Sequence, residues 1–161
     1  MNEKNKIKVY LAGGWFNEKQ REVLDTVESL LDKFDNLEVY SPRKKKNQFE
    51  SGTKPSRKTC ESVFEDDVIA INGCDIMIAS TESKDMGTVF EMGVAYQTSI
   101  PVIAVYFHEE PYNLMLEVSA VGGVARTLDQ LNDMLIFIKN SGLDKYLDEE
   151  ADKYRYQGLI E

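Results

Sequence analysis

Met86-Gly87-Thr88-Val89-Phe90-Glu91-Met92-Gly93-Val94-Ala95-Tyr96-Gln97-Thr98-Ser99-Ile100-Pro101-Val102-Ile103-Ala104-Val105-Tyr106-Phe107 carries one charged side chain, Glu91, in a protein whose residues are 29% charged. The small and apolar residues of the first half predict a buried helix from Gly87 to Ser99. The second half predicts a strand from Val102 to Phe107, with Pro101 tolerable at its first position. A helix running straight into an all-apolar strand belongs to a βαβ unit, whose parallel strands are buried on both faces. Burying a carboxylate without partners costs several kcal/mol or forces it to take up a proton. Glu91 is therefore either paired or used.

Working outward, apolar runs alternate with amphipathic segments. Ile7 to Ala12 reads as a strand ending in Gly13-Gly14. Asn17 can cap a helix whose Val23, Val27, Leu30, Leu31 and Phe34 share one face. Leu37 to Tyr40 is a second strand, stopped by Ser41-Pro42, and a long polar loop follows with Arg43, Lys44, Lys45 and Lys46. A helix from about Cys60 to Asn72 stops at Gly73, and Asp75 to Ala79 is a third strand. Thr127 and Gln130 resemble a capping box for a helix reaching about Asn140; residues from Leu143 onward carry no clear pattern. The order predicts an α/β fold. It is a single domain over 1–161, a Rossmann-/flavodoxin-like parallel-sheet sandwich of about five strands with helices on both faces.

Composition narrows the function. At 161 residues and 42% hydrophobic, the chain can bury one sizeable core. A net charge of −9 disfavours nucleic-acid binding, which needs a basic face. The opening Met1-Asn2-Glu3-Lys4-Asn5-Lys6 is too polar for a signal peptide, and the low-charge stretch is broken by Gly87, Gly93, Gln97 and Pro101, so no membrane span is expected. Cys60 and Cys74 do not form a disulfide framework and suit a reducing, cytoplasmic setting. His108, the one histidine, argues against a His-based metal site or a Cys/His triad. Carboxylates, hydroxyls, amides and backbone are the reagents left.

In such a sheet, ligands bind beyond the carboxyl ends of the strands. That rim would gather Gly13-Gly14-Trp15-Phe16, the basic loop, Ser80 to Gly87 and the loop around Asn113. Asp85 would precede the helix and Glu91 would lie in its early turns, where the helix dipole favours an ionised carboxylate. Two carboxylates so placed suit cleavage of a glycosidic bond, one at the sugar carbon and one protonating the leaving group. Gly13-Gly14 either lets a ligand approach, with Trp15 or Phe16 stacking on a flat ring, or makes a tight strand-to-helix turn. Asp66-Asp67 reads first as helix surface or a local cap. The basic run is either solvated or in contact with a phosphate, and His108 with Glu109-Glu110 reads as loop surface.

Tyr10-Leu11-Ala12-Gly13-Gly14-Trp15-Phe16, Asn47-Gln48, Asp66-Asp67, Asp85-Met86-Gly87-Thr88-Val89-Phe90-Glu91-Met92-Gly93 and Asn113-Leu114-Met115 together resemble the nucleoside 2-deoxyribosyltransferases, in order and spacing. The resemblance runs from Ile7 to Met115. It implies exchange of the base of a 2′-deoxynucleoside for a free purine or pyrimidine, through a covalent deoxyribosyl-enzyme, with no metal or organic cofactor. It also implies Glu91 as nucleophile, Asp85 and Asp67 as the carboxylates that contact the base and handle its proton, and Tyr10 as a positioner of the nucleophile. Gln48 becomes a base contact, and Gly13, Trp15, Phe16 and Gly87 belong to the pocket. Asn113 and Met115 match residues that reach a neighbouring subunit's sugar site, implying a homo-oligomer, hexamer or dimer, with shared sites. The Lys44-Lys45-Lys46 run departs from the motif. A 2′-deoxynucleoside 5′-monophosphate N-glycosidase and a non-catalytic nucleotide-sensing module are the alternatives.

Overall fold

The computed structural model describes residues 6–45, 52–108 and 111–161. Five strands, β1 (Ile7–Gly13), β2 (Leu37–Tyr40), β3 (Ile76–Ser80), β4 (Val102–Val105) and β5 (Val124–Ala125), form one sheet in the order β2-β1-β3-β4-β5. Every pairing is parallel, with registers such as Val9 to Ile76 and Met77 to Val102. The helices are α1 (Glu18–Leu31), α2 (Arg57–Asn72), α3 (Met86–Gln97), α4 (Leu114–Ser119), α5 (Leu128–Ser141) and α6 (Leu143–Glu149).

The pleat decides what each face carries, because successive side chains point to opposite sides. Val9, Leu11, Ile76, Ile78, Ile103 and Val105 pack with α1 and α5 in one cluster. Tyr10, Ala12, Met77, Ala79, Val102 and Ala104 face the other way, with Ile71 of α2, Met92 and Ala95 of α3, and Leu116 of α4 against them. Tyr10 thus belongs to the side that holds α3.

Local signals set the element ends. Asn17 and Gln20 close a full capping box on α1. At α5 the Thr127 hydroxyl accepts from Gln130 N, but the Gln130 side chain reaches back to Arg126 N rather than Thr127 N, so half of the expected box forms. Helix α2 starts at Arg57, ahead of the expected Cys60, because the Ser56 hydroxyl caps it through Thr59 N. The fourth strand ends at Val105, not Phe107, since β5 offers a partner only two residues long; Phe107 N donates instead to the buried Glu82 Oε1 at 2.7 Å. Beyond Leu143 the chain makes α6, whose Tyr146 is fully buried and donates to Gly122 O. The tail then returns to pair with Tyr112: Tyr112 N donates to Leu159 O and Glu161 N to Tyr112 O.

Two surface expectations are corrected. The first part of the basic run is engaged in ion pairs with α1 rather than free for a phosphate. Arg43 binds Glu28 and Asp25, and Lys44 binds Glu28 at 3.1 Å. Glu28 is buried on α1, and although desolvation pushes its carboxyl up, the bonds from Arg43, Ser41 and Lys44 bring it below its ordinary value. Lys46 lies outside the described residues. His108 is half-buried rather than loop surface, with Nδ1 2.9 Å from Glu82 Oε2.

Candidate active site

Three elements converge on Glu91. Strand β1 places Tyr10 with its ring buried and its hydroxyl at the protein's α3 side, where it donates to Glu91 Oε1 at 2.6 Å. Tyr10 and Tyr40 are register partners on β1 and β2, so their side chains leave the same face next to each other. Their rings stack with centroids 5.4 Å apart and planes 14° from parallel. Tyr40 then donates to Asp67 Oδ1 of α2 at 3.0 Å. Helix α2 presents Cys60, Val63, Phe64, Asp67, Val68 and Ile71 along one stripe, the spacing of a helix face. With Gly87, Phe90 and Glu91 of α3 they line a cleft of about 260 Å³. Phe64 and Phe90 sit at its mouth, half-exposed, with ring centroids 5.8 Å apart.

Asp85 stands before α3 as its N-cap, Oδ2 accepting from Thr88 N at 2.8 Å and Thr88 Oγ1 at 2.9 Å. The loop that delivers it is strained, with Ser83 and Lys84 both at positive φ. It is pinned from below by Glu82, buried against Phe107 N.

The electrostatics reverse one expectation. Glu91 is pushed up to about 7, because burial removes its hydration and Asp67 and Asp85 repel its charge, against the opposing bond from Tyr10. The helix dipole does not prevail, since Glu91 lies past the first turn of α3 and the effect fades within that turn. Asp67 is also raised by burial, with Asp66 adding repulsion while Tyr40 and Lys45 pull it down. Tyr10 is raised by burial and by Glu91, so it stays a hydrogen-bond donor.

The sign of the linkage for Glu91 is unfavourable at high pH. Between about 4.5 and 7 the native state holds a proton that the unfolded state has lost, so stability falls as pH rises through that window. Glu91→Gln removes the penalty and keeps an acceptor for Tyr10. We expect urea unfolding to show it about 3 kcal/mol more stable than wild type at pH 8 and nearly equal at pH 4, each tenfold rise in proton affinity being worth roughly 1.4 kcal/mol. A gain of the same size at both pH values would contradict the burial of this charge.

Of the other expected site residues, those that the structure describes do not line this cleft. A Cβ at Gly13 would meet Leu24 Cδ2 at 2.6 Å, and one at Gly14 would meet the Gln20 side chain at 2.6 Å. Both glycines therefore serve the close approach of α1. Trp15 packs beside the α1–α5 cluster and stacks on the exposed Phe16. Gln48 lies outside the described residues. Asn113 caps α4 through Met115 N and Leu116 N, and Met115 is 74% exposed. Both line clefts on the Val89 flank of α3, about 200° around the helix from Glu91 at 100° per residue. One chain brings Glu91, Tyr10, Asp67, Asp85 and Gly87 together but leaves Asn113 and Met115 apart from them. Phe64 and Phe90 line the cleft, and Tyr40 binds its Asp67, without having been singled out by sequence.

The family model for nucleoside 2-deoxyribosyltransferase matches residues 9–130, which carry every described member of this cluster. The chain belongs to the nucleoside 2-deoxyribosyltransferase family. Family membership makes it an enzyme acting on nucleosides. Among solved structures, a 2-deoxyribosyltransferase from Bacillus psychrosaccharolyticus is 29% identical, with a TM-score of 0.67 over 78% of this chain and 90% of that one. A conserved protein from Enterococcus faecalis V583 is 18% identical, with a TM-score of 0.51 over 97% of this chain and 91% of its own. The CMP N-glycosidase BcmB of Clostridium botulinum is 18% identical, with a TM-score of 0.52 over 80% and 98%. These last two share the fold of this deoxyribosyltransferase family member. No curated protein sequence matches it.

Proposed function

We propose that the protein exchanges the base of a 2′-deoxynucleoside for another base through a deoxyribosyl ester on Glu91, with retention of configuration. The observation that carries this reading is the partly buried Glu91 held by Tyr10 at 2.6 Å beside a second carboxylate in one cleft. Glu91 Oε1 accepts from Tyr10, which leaves Oε2 to attack C1′. The C1′–O bond forms as the C1′–N bond breaks, and the electron pair departs with the base. Asp67, raised by burial, gives that nitrogen a proton. The incoming base then attacks C1′, the pair returns to Glu91 and the extra proton goes back to Asp67. Asp85 already commits Oδ2 to the helix cap, so it holds the base with its other oxygen. Lack of the 2′-hydroxyl eases the oxocarbenium-like transition state, and a low-dielectric cleft strengthens each polar contact.

Incubating the protein with a 2′-deoxynucleoside and a different free base, with HPLC of the products, is the direct test. New nucleoside is expected. Free sugar without exchange would favour the N-glycosidase alternative, and no reaction at all a sensing module.

The separation of Asn113 and Met115 from Glu91 in one chain supports sites shared between copies. Asn113→Asp keeps the capping oxygen but loses the amide donor. Mixing inactive Glu91→Ala with inactive Asn113→Asp, after dissociation and reassembly, should restore part of the exchange. Light scattering of a fully active monomer would end the idea.

A further inference from the structure

Base exchange on Glu91 uses Tyr10 and Asp67, and a third side chain joins the two. Tyr40 does so with both of its parts. Its ring lies flat against Tyr10, and its hydroxyl donates to Asp67 Oδ1 at 3.0 Å. Above it, Lys45 Nζ sits 4.0 Å from the ring centroid, a cation–π contact brought by the segment that leaves β2. Tyr40 is only half-buried, yet it touches the partner of the nucleophile on one side and the second carboxylate on the other.

Resting on the proposed base exchange, we propose that Tyr40 is a positioning residue that fixes Asp67 for proton transfer and, with Lys45, keeps it able to cycle between acid and base. Asp67 must donate a proton when one base leaves and take one back when the next arrives, so neither form can be too stable. The groups facing it set that balance. Asp66 on its own helix repels its charge, Tyr40 from β2 donates to it, and Lys45 beyond β2 attracts it. Glu91 of α3 shares the cleft and feels the Asp67 charge, as does Tyr10 of β1. Without the Tyr40 hydroxyl the effect of burial is less opposed, and protonated Asp67 becomes too weak an acid. The ring acts separately from the hydroxyl. Tyr10 and Tyr40 share a face by register, so removing the Tyr40 ring loosens the hydroxyl that holds Glu91.

Tyr40→Phe separates the two parts, since it keeps the ring and deletes the hydroxyl. ¹³C-carboxyl NMR of Asp67 in the ligand-free protein, titrated in wild type and Tyr40→Phe, should show the variant upward by about 1 pH unit, the worth of a hydrogen bond to a charged group. Single-turnover base release from a purine 2′-deoxynucleoside should shift its pH profile upward in Tyr40→Phe, because Asp67 keeps its proton to higher pH. Lys45→Met, at an exposed position, should move both readouts in the same direction by less, which keeps the test available should Tyr40→Phe not fold. Tyr40→Ala should in addition slow base release across the whole pH range, because Tyr10 loses its stacking partner. An Asp67 titration unmoved in Tyr40→Phe and Lys45→Met overturns the proposal even with exchange intact, and so does a moved titration with an unmoved pH profile of base release. A wild type that releases no base refutes the functional reading itself, with the NMR shift still distinguishing that failure from the loss of the Tyr40–Asp67 contact.

Discussion

Glu91→Ala folds as the wild type does and loses base exchange by several orders of magnitude. Folding survives because the substitution deletes a partly buried carboxylate that costs stability once ionised, not an apolar side chain. Activity does not, because the covalent route vanishes with the carboxylate, and covalent catalysis is a large share of an enzyme's barrier lowering. Steady-state exchange measured at pH 8, where the wild-type Glu91 is ionised, is the check; a variant keeping more than about a tenth of the wild-type rate would remove Glu91 from the nucleophile's role. Mass spectrometry of wild type treated with a slow 2-fluoro-2-deoxy nucleoside should place a sugar adduct on the peptide holding Glu91. An adduct on another peptide would have the same force.

Asp67→Asn loses about 10²–10⁴-fold with bases that leave poorly, the usual worth of general acid help. It loses much less with a 7-methylated purine, which carries its charge already and needs no proton to depart. The Asn side chain still accepts from Tyr40, so the Tyr10–Tyr40 stack stays supported. Asp85→Asn should behave differently, because one oxygen of Asp85 is engaged with Thr88 in the cap of α3. Its losses should be more even across the substrate series, with stability nearly unchanged because an Asn oxygen caps a helix about as well as an Asp one. Equal losses for both variants on every substrate would leave the aspartates as recognition residues and the proton donor elsewhere.

Much of the fold could be read along the chain because parallel strands buried on both faces leave uninterrupted apolar runs, as at Ile76–Ser80 and Val102–Val105. Strand β5 could not: Val124–Ala125 is too short to hold a pattern, and only its pairing with Ala104 and Val105 makes it a strand. Glu91 stood out as a lone charge among apolar neighbours. Asp67 did not, since α2 also carries Arg57, Lys58, Glu61, Glu65 and Asp66, and only the fold singles out which of these charges faces inward. Tyr40 was hidden for a different reason. A tyrosine at a strand end is ordinary, and its role depends on which residue of β1 it meets across the ladder. The basic run misled because Asp25 and Glu28, on one face of α1, claim Arg43 in three dimensions, and nothing in the order of residues says so.

The hydroxyl and carboxylate that meet at 2.6 Å are 81 positions apart along the chain. No strand neighbour in this sheet is joined by a hairpin. Ile7 waits for Leu37, Val9 for Ile76, and Met77 for Val102. Each pairing pays its loop-closure entropy before any contact rewards it, which is the topology of slow folders. While a newly made chain waits for β3, the edge of β1 away from β2 stays open, with apolar side chains on either side. That interval is when aggregation competes. Yield on overexpression will therefore respond to temperature and chaperones more than to anything in the cleft. Activity, in turn, is a stringent gauge of complete assembly: a chain with secondary structure but no closed β1–β3 ladder has a tyrosine, a glutamate and no enzyme.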